Sequence, residues 1–122
     1  MAAPNLKNPT KITGKTARYA VPVESNNLPV EMLAAPGTGK TFKINSIFCA
    51  NVDANGNQAD ITVSIYNGTD YYLAKTLTVP GYATQIISSK DTYFYLEEGD
   101  SIRALASVVG DLELVIGYEE IT

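Results

Sequence analysis

Apolar residues in this chain alternate with polar ones and almost never recur at helical spacing. Ile61, Val63 and Ile65 are interleaved with Asp60, Thr62 and Ser64, which places three aliphatic side chains on one face of a half-buried strand. Asn67-Gly68 follows at once, flanked by Tyr66 and by Tyr71 to Leu73. This is a hairpin signal, and the sequence predicts a type I′ turn there because Asn-Gly accepts positive φ. The return strand runs through Leu77 to Val79 and stops at Pro80-Gly81, since proline cannot donate to a ladder. Phe42, Ile44 and Ile47 to Cys49 make an earlier β-rich run, and Ile86-Ile87 and Tyr93 to Leu96 make two short later ones. Glu97-Glu98-Gly99-Asp100 turns the chain into Ile102, Ala104 and Ala106. Gly110-Asp111 turns it into a last strand with Leu112, Leu114, Ile116 and Tyr118 on one face and Glu113 and Glu119 on the other. Strands of roughly five to eight residues with Gly or Pro punctuation predict an all-β fold, an antiparallel β-sandwich or jelly roll of about eight strands.

With 122 residues the chain is one domain that can bury a core without disulfide or metal staples. Residues 1–18 contain Pro4, Pro9 and Gly14, little apolar content beyond Leu6 and Ile12, and no period of either kind. They are expected to form an extended N-terminal arm lying on a surface, with the β-sandwich domain over residues 19–122. The arm is basic: Lys7, Lys11, Lys15 and Arg18 stand there with no acid, whereas residues 91–122 carry eight acids against Arg103 alone. The formal net charge of −4 argues against nucleic acid or an anionic membrane as partner. No apolar run approaches the roughly 20 residues that span a bilayer, and no apolar leader is present, so a cytosolic product is expected.

Histidine and tryptophan are absent and cysteine occurs once, at Cys49. That composition excludes Ser/His and Cys/His nucleophile pairs, His-ligated zinc and an internal disulfide. No catalytic residue, metal or cofactor is expected. Ala34-Ala35-Pro36-Gly37-Thr38-Gly39-Lys40-Thr41 resembles a phosphate-binding loop, but Ala34 stands where that pattern requires glycine. The run that follows, Phe42-Lys43-Ile44, has strand rather than helix periodicity, so no helix N-terminus would face a phosphate. Asp53, Asn55 and Asn57 have the alternation of a calcium loop, yet Gln58 and Ser64 occupy the positions that need glycine and a bidentate glutamate. Asn67-Gly68-Thr69 reads as the hairpin turn rather than a glycosylation site. Glu97, Glu98 and Asp100 read as a solvated rim, and Cys49 as a small core residue. Eight tyrosines against three phenylalanines suit surfaces that meet protein or sugar. Tyr71 and Tyr93 are the candidate aromatic contacts, weighed against cross-strand pairing on a half-buried sheet.

Several segments taken together resemble a known group of proteins. They are Pro4-Asn5 with Thr10 to Thr16, Lys43 to Ile47 running to Ala50-Asn51, Tyr72 to Thr76, Leu96 to Ile102, and Tyr118 to Thr122. In that order they resemble small β-sandwich virion structural proteins of tailed bacteriophages. The resemblance implies a non-enzymatic virion protein made in the host cytoplasm. It would be a capsid decoration (cement) protein that binds the major capsid protein, or else a neck, tail or baseplate component or a carbohydrate-binding jelly-roll module of a tail fibre. Homo-oligomerisation is expected. Lys7, Lys11, Lys15 and Arg18 would then dock on an acidic surface, either the capsid lattice or the acidic end of another copy at Glu113, Glu119 and Glu120.

Overall fold

The computed structural model describes residues 3–24 and 26–122. Among these, nine strands form two antiparallel sheets: β1 (Ile12–Ala20), β2 (Val30–Leu33), β3 (Thr41–Asn51), β4 (Ala59–Tyr66), β5 (Asp70–Val79), β6 (Thr84–Ser88), β7 (Phe94–Leu96), β8 (Ser101–Ala106) and β9 (Leu112–Ile121). A 3₁₀ turn at Lys90–Thr92 joins β6 to β7. The first sheet, sheet A, runs β1-β9-β3-β6, with β7 also paired to β3. The second, sheet B, runs β2-β8-β4-β5. Setting aside the three-residue β7, this is the strand order of a jelly roll, in which most connections cross between sheets. The expected sandwich is present, with one short strand more than the pattern indicated.

Alternation builds the core, with a bulge in β3 shifting its phase between Ile44 and Ile47. Leu112, Leu114 and Ile116 of β9 are fully buried against Ile44, Ile47 and Cys49 of β3 and against Ile61, Val63, Ile102 and Ala104 of sheet B. Each such aliphatic side chain contributes about 1.5–3 kcal/mol by leaving water. The Asn67-Gly68 hairpin joins β4 to β5, but Tyr66 pairs with Asp70, so the loop has three residues rather than two. Gly68 takes φ of 80°, whereas Asn67 does not enter the positive region. The type I′ expectation is thus corrected to a three-residue loop whose single left-handed residue is Gly68.

The arm also needs correction. Residues 12–18 are not an arm: β1 pairs with β9 without a register break from Ile12↔Ile121 to Ala20↔Glu113. Residues 3–11 alone precede the sheet, and residues 1–2 lie outside the described residues. Composition concealed β1 because an edge strand needs only one half-buried face. Ala17 and Tyr19 supply that face and pack against the core, while the ladder comes from β9.

Cys49 is buried on the core face of β3, and burial pushes its thiol up to about 11. Burial, followed by the charges at Tyr118 and Glu31, raises the Tyr19 hydroxyl in the same direction. The folded chain therefore keeps the Cys49 proton to higher pH than the unfolded chain does. The resulting stability is complete below about pH 9 and lost as pH rises toward about 11. Denaturant midpoints should fall across that window, less so in Cys49→Ala. A thiol reagent at neutral pH should react only once the protein is unfolded.

Candidate functional site

The outer faces of the two sheets are finished differently. On sheet B, polar side chains satisfy one another. Ser64 Oγ donates to Asp70 Oδ1 at 2.8 Å, and Arg103 Nη1 lies 3.4 Å from Asp70 Oδ2. The Arg103 guanidinium stands over the Tyr66 ring at 4.2 Å and donates from Nη2 to the Pro29 carbonyl. Pro29 is fully buried there, and the Ala106 amide donates to the Pro22 carbonyl at 2.9 Å. The connection between β1 and β2 is thereby strapped across this face. Two clefts flank Pro29. One of about 470 Å³ is lined by Glu24, Glu31, Tyr66, Ser101 and Arg103. The other, about 410 Å³, is lined by Asp60, Thr62, Tyr72, Lys75 and Leu105.

Among the described residues, none forms such a cover over the centre of sheet A. Register places Arg18, Val115, Phe48 and Ile86 in one row across β1, β9, β3 and β6. Their chain neighbours Leu114, Ile116, Ile47 and Cys49 point into the core, so Val115 and Phe48 point outward. Ile86, on the edge strand β6, is 68% exposed, and Phe48, on the central strand β3, is 36% exposed. A second row holds Gly14, Glu119, Lys43 and Tyr95. Between these rows lie Thr16, Gly117 and Ser46, all short. Tyr93 meets Tyr95 edge-on, with ring centroids 5.9 Å apart, and Lys43 Nζ stands 4.4 Å over the Tyr93 ring. A bulge in β3 at Asn45 lets its Nδ2 donate to Glu119 Oε1 at 2.9 Å and leaves Asn45 Oδ1 buried with no hydrogen-bond partner among the described residues.

The sequence-predicted residues separate into distinct places. Lys15 and Lys40 both reach Glu120, at 3.4 and 3.5 Å. The acid expected to receive another copy's arm is thus already met within its own chain. Glu119 is held by Asn45, and Glu113 is exposed on β9. Arg18 sits on β1, while Lys7 and Lys11 remain exposed in the segment before the sheet. That segment folds back: the Lys7 amide donates to Asn5 Oδ1 and the Thr10 amide to the Thr122 carbonyl. Ala3, Pro4 and Leu6 line a cleft with Thr41, Phe94 and Tyr95. Tyr71 and Tyr93 do not share a surface, since Tyr71 lies on β5 of sheet B and Tyr93 leads into β7 of sheet A.

The resemblance to a phosphate loop and to a calcium loop resolves into turns. Gly37 to Lys40 closes a turn, with the Lys40 amide donating to the Gly37 carbonyl, and runs directly into β3. Asp53 uses Oδ2 to accept the Asn57 amide at 2.7 Å. Phe48, Ile86, Val115 and Lys43 were not singled out in the sequence. The available signal was the adjacent apolar pairs Ile47-Phe48 and Ile86-Ile87: in a strand, two neighbours of that kind face opposite sides, so both sides are apolar.

No protein-family model matches the chain, and no curated protein matches it. Among solved structures, Eiger TNF from S. frugiperda aligns at 8% identity with a TM-score of 0.39, over 94% of this chain and 93% of that one. The fold class stands on the strand pairing described above.

Proposed function

We propose that this chain is a non-enzymatic structural protein of a tailed-bacteriophage virion, a capsid decoration protein that binds the assembled head lattice. The observation that carries this reading is the basic N-terminal segment. Lys7 and Lys11 are exposed at one end of an otherwise acidic domain, outside both sheets, on a segment folded against β7 rather than into the core. The order of motifs shared with small virion proteins supports the reading, as does a sandwich whose strands give it mechanical compactness. Individual exposed ion pairs contribute only about 0–1 kcal/mol. A decoration protein meets a lattice at many equivalent points, and repetition turns weak contacts into firm attachment.

The strand boundaries decide which deletion is informative. Deleting residues 1–16 would remove half of β1 and damage the sheet, whereas deleting 2–9 leaves every strand intact. Particles stripped of the protein and re-incubated with the 2–9 deletion should show occupancy reduced by about tenfold or more, with loss also on raising salt. Lys7→Glu with Lys11→Glu should act in the same direction. Occupancy equal to wild type in both variants would remove the segment from the mechanism.

A further inference from the structure

We infer that the outer face of sheet A is where two copies of this chain meet, packed face to face about a two-fold axis. The axis runs parallel to the strands between β9 and β3. This contact is separate from lattice docking and uses different residues.

Across the face the side chains are graded in height. Gly14 on β1 and Val115 on β9 are low, while Phe48, Ile86 and Tyr95 on β3, β6 and β7 are tall. The middle row of Thr16, Gly117 and Ser46 is low throughout, and Arg18 is the one long side chain on β1 in these rows. A two-fold axis along the strands reverses the order of strands while keeping the rows, so the tall half of one copy stands on the low half of the other. An isologous contact of this kind needs a patch complementary to itself. In the row Gly14, Glu119, Lys43, Tyr95, reversal puts the partner's Tyr95 over Gly14 and the partner's Lys43 over Glu119. In the row Arg18, Val115, Phe48, Ile86, it puts the partner's Phe48 on Val115 and the partner's Ile86 on the alkyl stem of Arg18.

The charges fit as well as the shape. Lys43 and Glu119 are cross-strand neighbours, yet the ion pairs among the described residues are Lys15–Glu120, Lys40–Glu120 and Arg103–Asp70. Asn45 holds the Glu119 carboxylate in place instead. Facing sheets with aligned strands are the ordinary packing of two β-layers, and such packing removes from water an apolar patch that runs from Val115 and Phe48 at the sheet centre to Ile86 on its edge. Because rows are kept, residues 3–11 of both copies emerge at the same end of the dimer. That would present two basic segments side by side to a lattice.

Sedimentation velocity on the full chain tests this. At a loading concentration of about 100 µM, wild type should sediment as a dimer. Lys43→Glu alone sets a new carboxylate against the partner's Glu119 at two symmetric places, and Glu119→Lys alone sets lysine against lysine. Each should weaken the dimer by about tenfold or more. An equimolar mixture of the two single variants restores opposite-charge contacts in the heterodimer and should sediment as a dimer again. Charge effects confined to one chain cannot produce that rescue. Ile86→Lys, at an exposed position, should also yield monomer, with a circular-dichroism spectrum matching wild type. A monomeric wild type, a trimer, variants that dimerise as well as wild type, or a mixture that stays monomeric would each overturn the proposal.

Discussion

Gly81→Ala should destabilise the protein by about 3 kcal/mol and lower its Tm by roughly 10 °C. A Cβ at Gly81 would overlap the carbonyl oxygen and carbon of Gly56, both backbone atoms that no rotamer change can move aside. The contact ties two turns together. In the loop after β3, the Gly56 amide donates to the Asp53 carbonyl. In the turn after β5, the Ala83 amide donates to the Pro80 carbonyl. Tyr82 locks the pair from outside: its hydroxyl donates to the Ala54 carbonyl at 2.8 Å, and its ring would meet a Cβ at Gly56 at 2.6 Å. Separating the turns would also disturb Asn51, whose Nδ2 donates to the carbonyls of Asn57 and Val79. Thermal melts of Gly81→Ala beside Gly37→Ala, where a Cβ would meet only the Lys40 Cδ at 3.8 Å, give the comparison. A Gly81→Ala melt within about 2 °C of wild type, on the order of a 0.5 kcal/mol change, would show that the close approach is not needed.

Leu114→Ala is expected to cost more, about 3–4 kcal/mol within the range found for large-to-small core changes. Leu114 is fully buried at the centre of sheet A, between Tyr19 on β1 and Cys49 on β3. Neighbouring strands paired to β9 on both sides without a break around Leu114 cannot close around the space left behind, so the transfer loss and most of the cavity penalty remain. The loss would be a large share of the roughly 5–15 kcal/mol that stabilises an ordinary domain. Urea unfolding should show a lower midpoint with an unchanged slope. Glu113→Ala, next door on the exposed side, should change stability by no more than about 0.5 kcal/mol. Equal effects at the two positions would contradict the assigned faces of β9.

The parts of this fold that were legible in the sequence are those where one strand's own alternation determines its faces. Ile61, Val63 and Ile65, and again Leu112, Leu114 and Ile116, announce both strand and core face. β1 was not legible because its stability is borrowed from β9, and pairing across about a hundred residues leaves no local trace in Thr13, Gly14, Lys15 and Thr16. The same holds for the candidate surface. Phe48 reaches the outer face through the β3 bulge at Asn45, and Ile86 joins its row only through the β3–β6 register. The charge asymmetry was legible, but its meaning was not. Lys15 and Glu120 are distant in sequence and 3.4 Å apart in the fold, so part of the expected intermolecular attraction is internal.

Imaging of the purified virion by cryo-electron microscopy, at a resolution that distinguishes strands, is the most direct test of the proposed role. Sandwich density is expected on the head surface in pairs, with sheet A of each copy buried against its mate and residues 3–11 of both turned toward the lattice. A particle lacking this protein, or one carrying it singly with Phe48 and Ile86 facing solvent, would contradict that role.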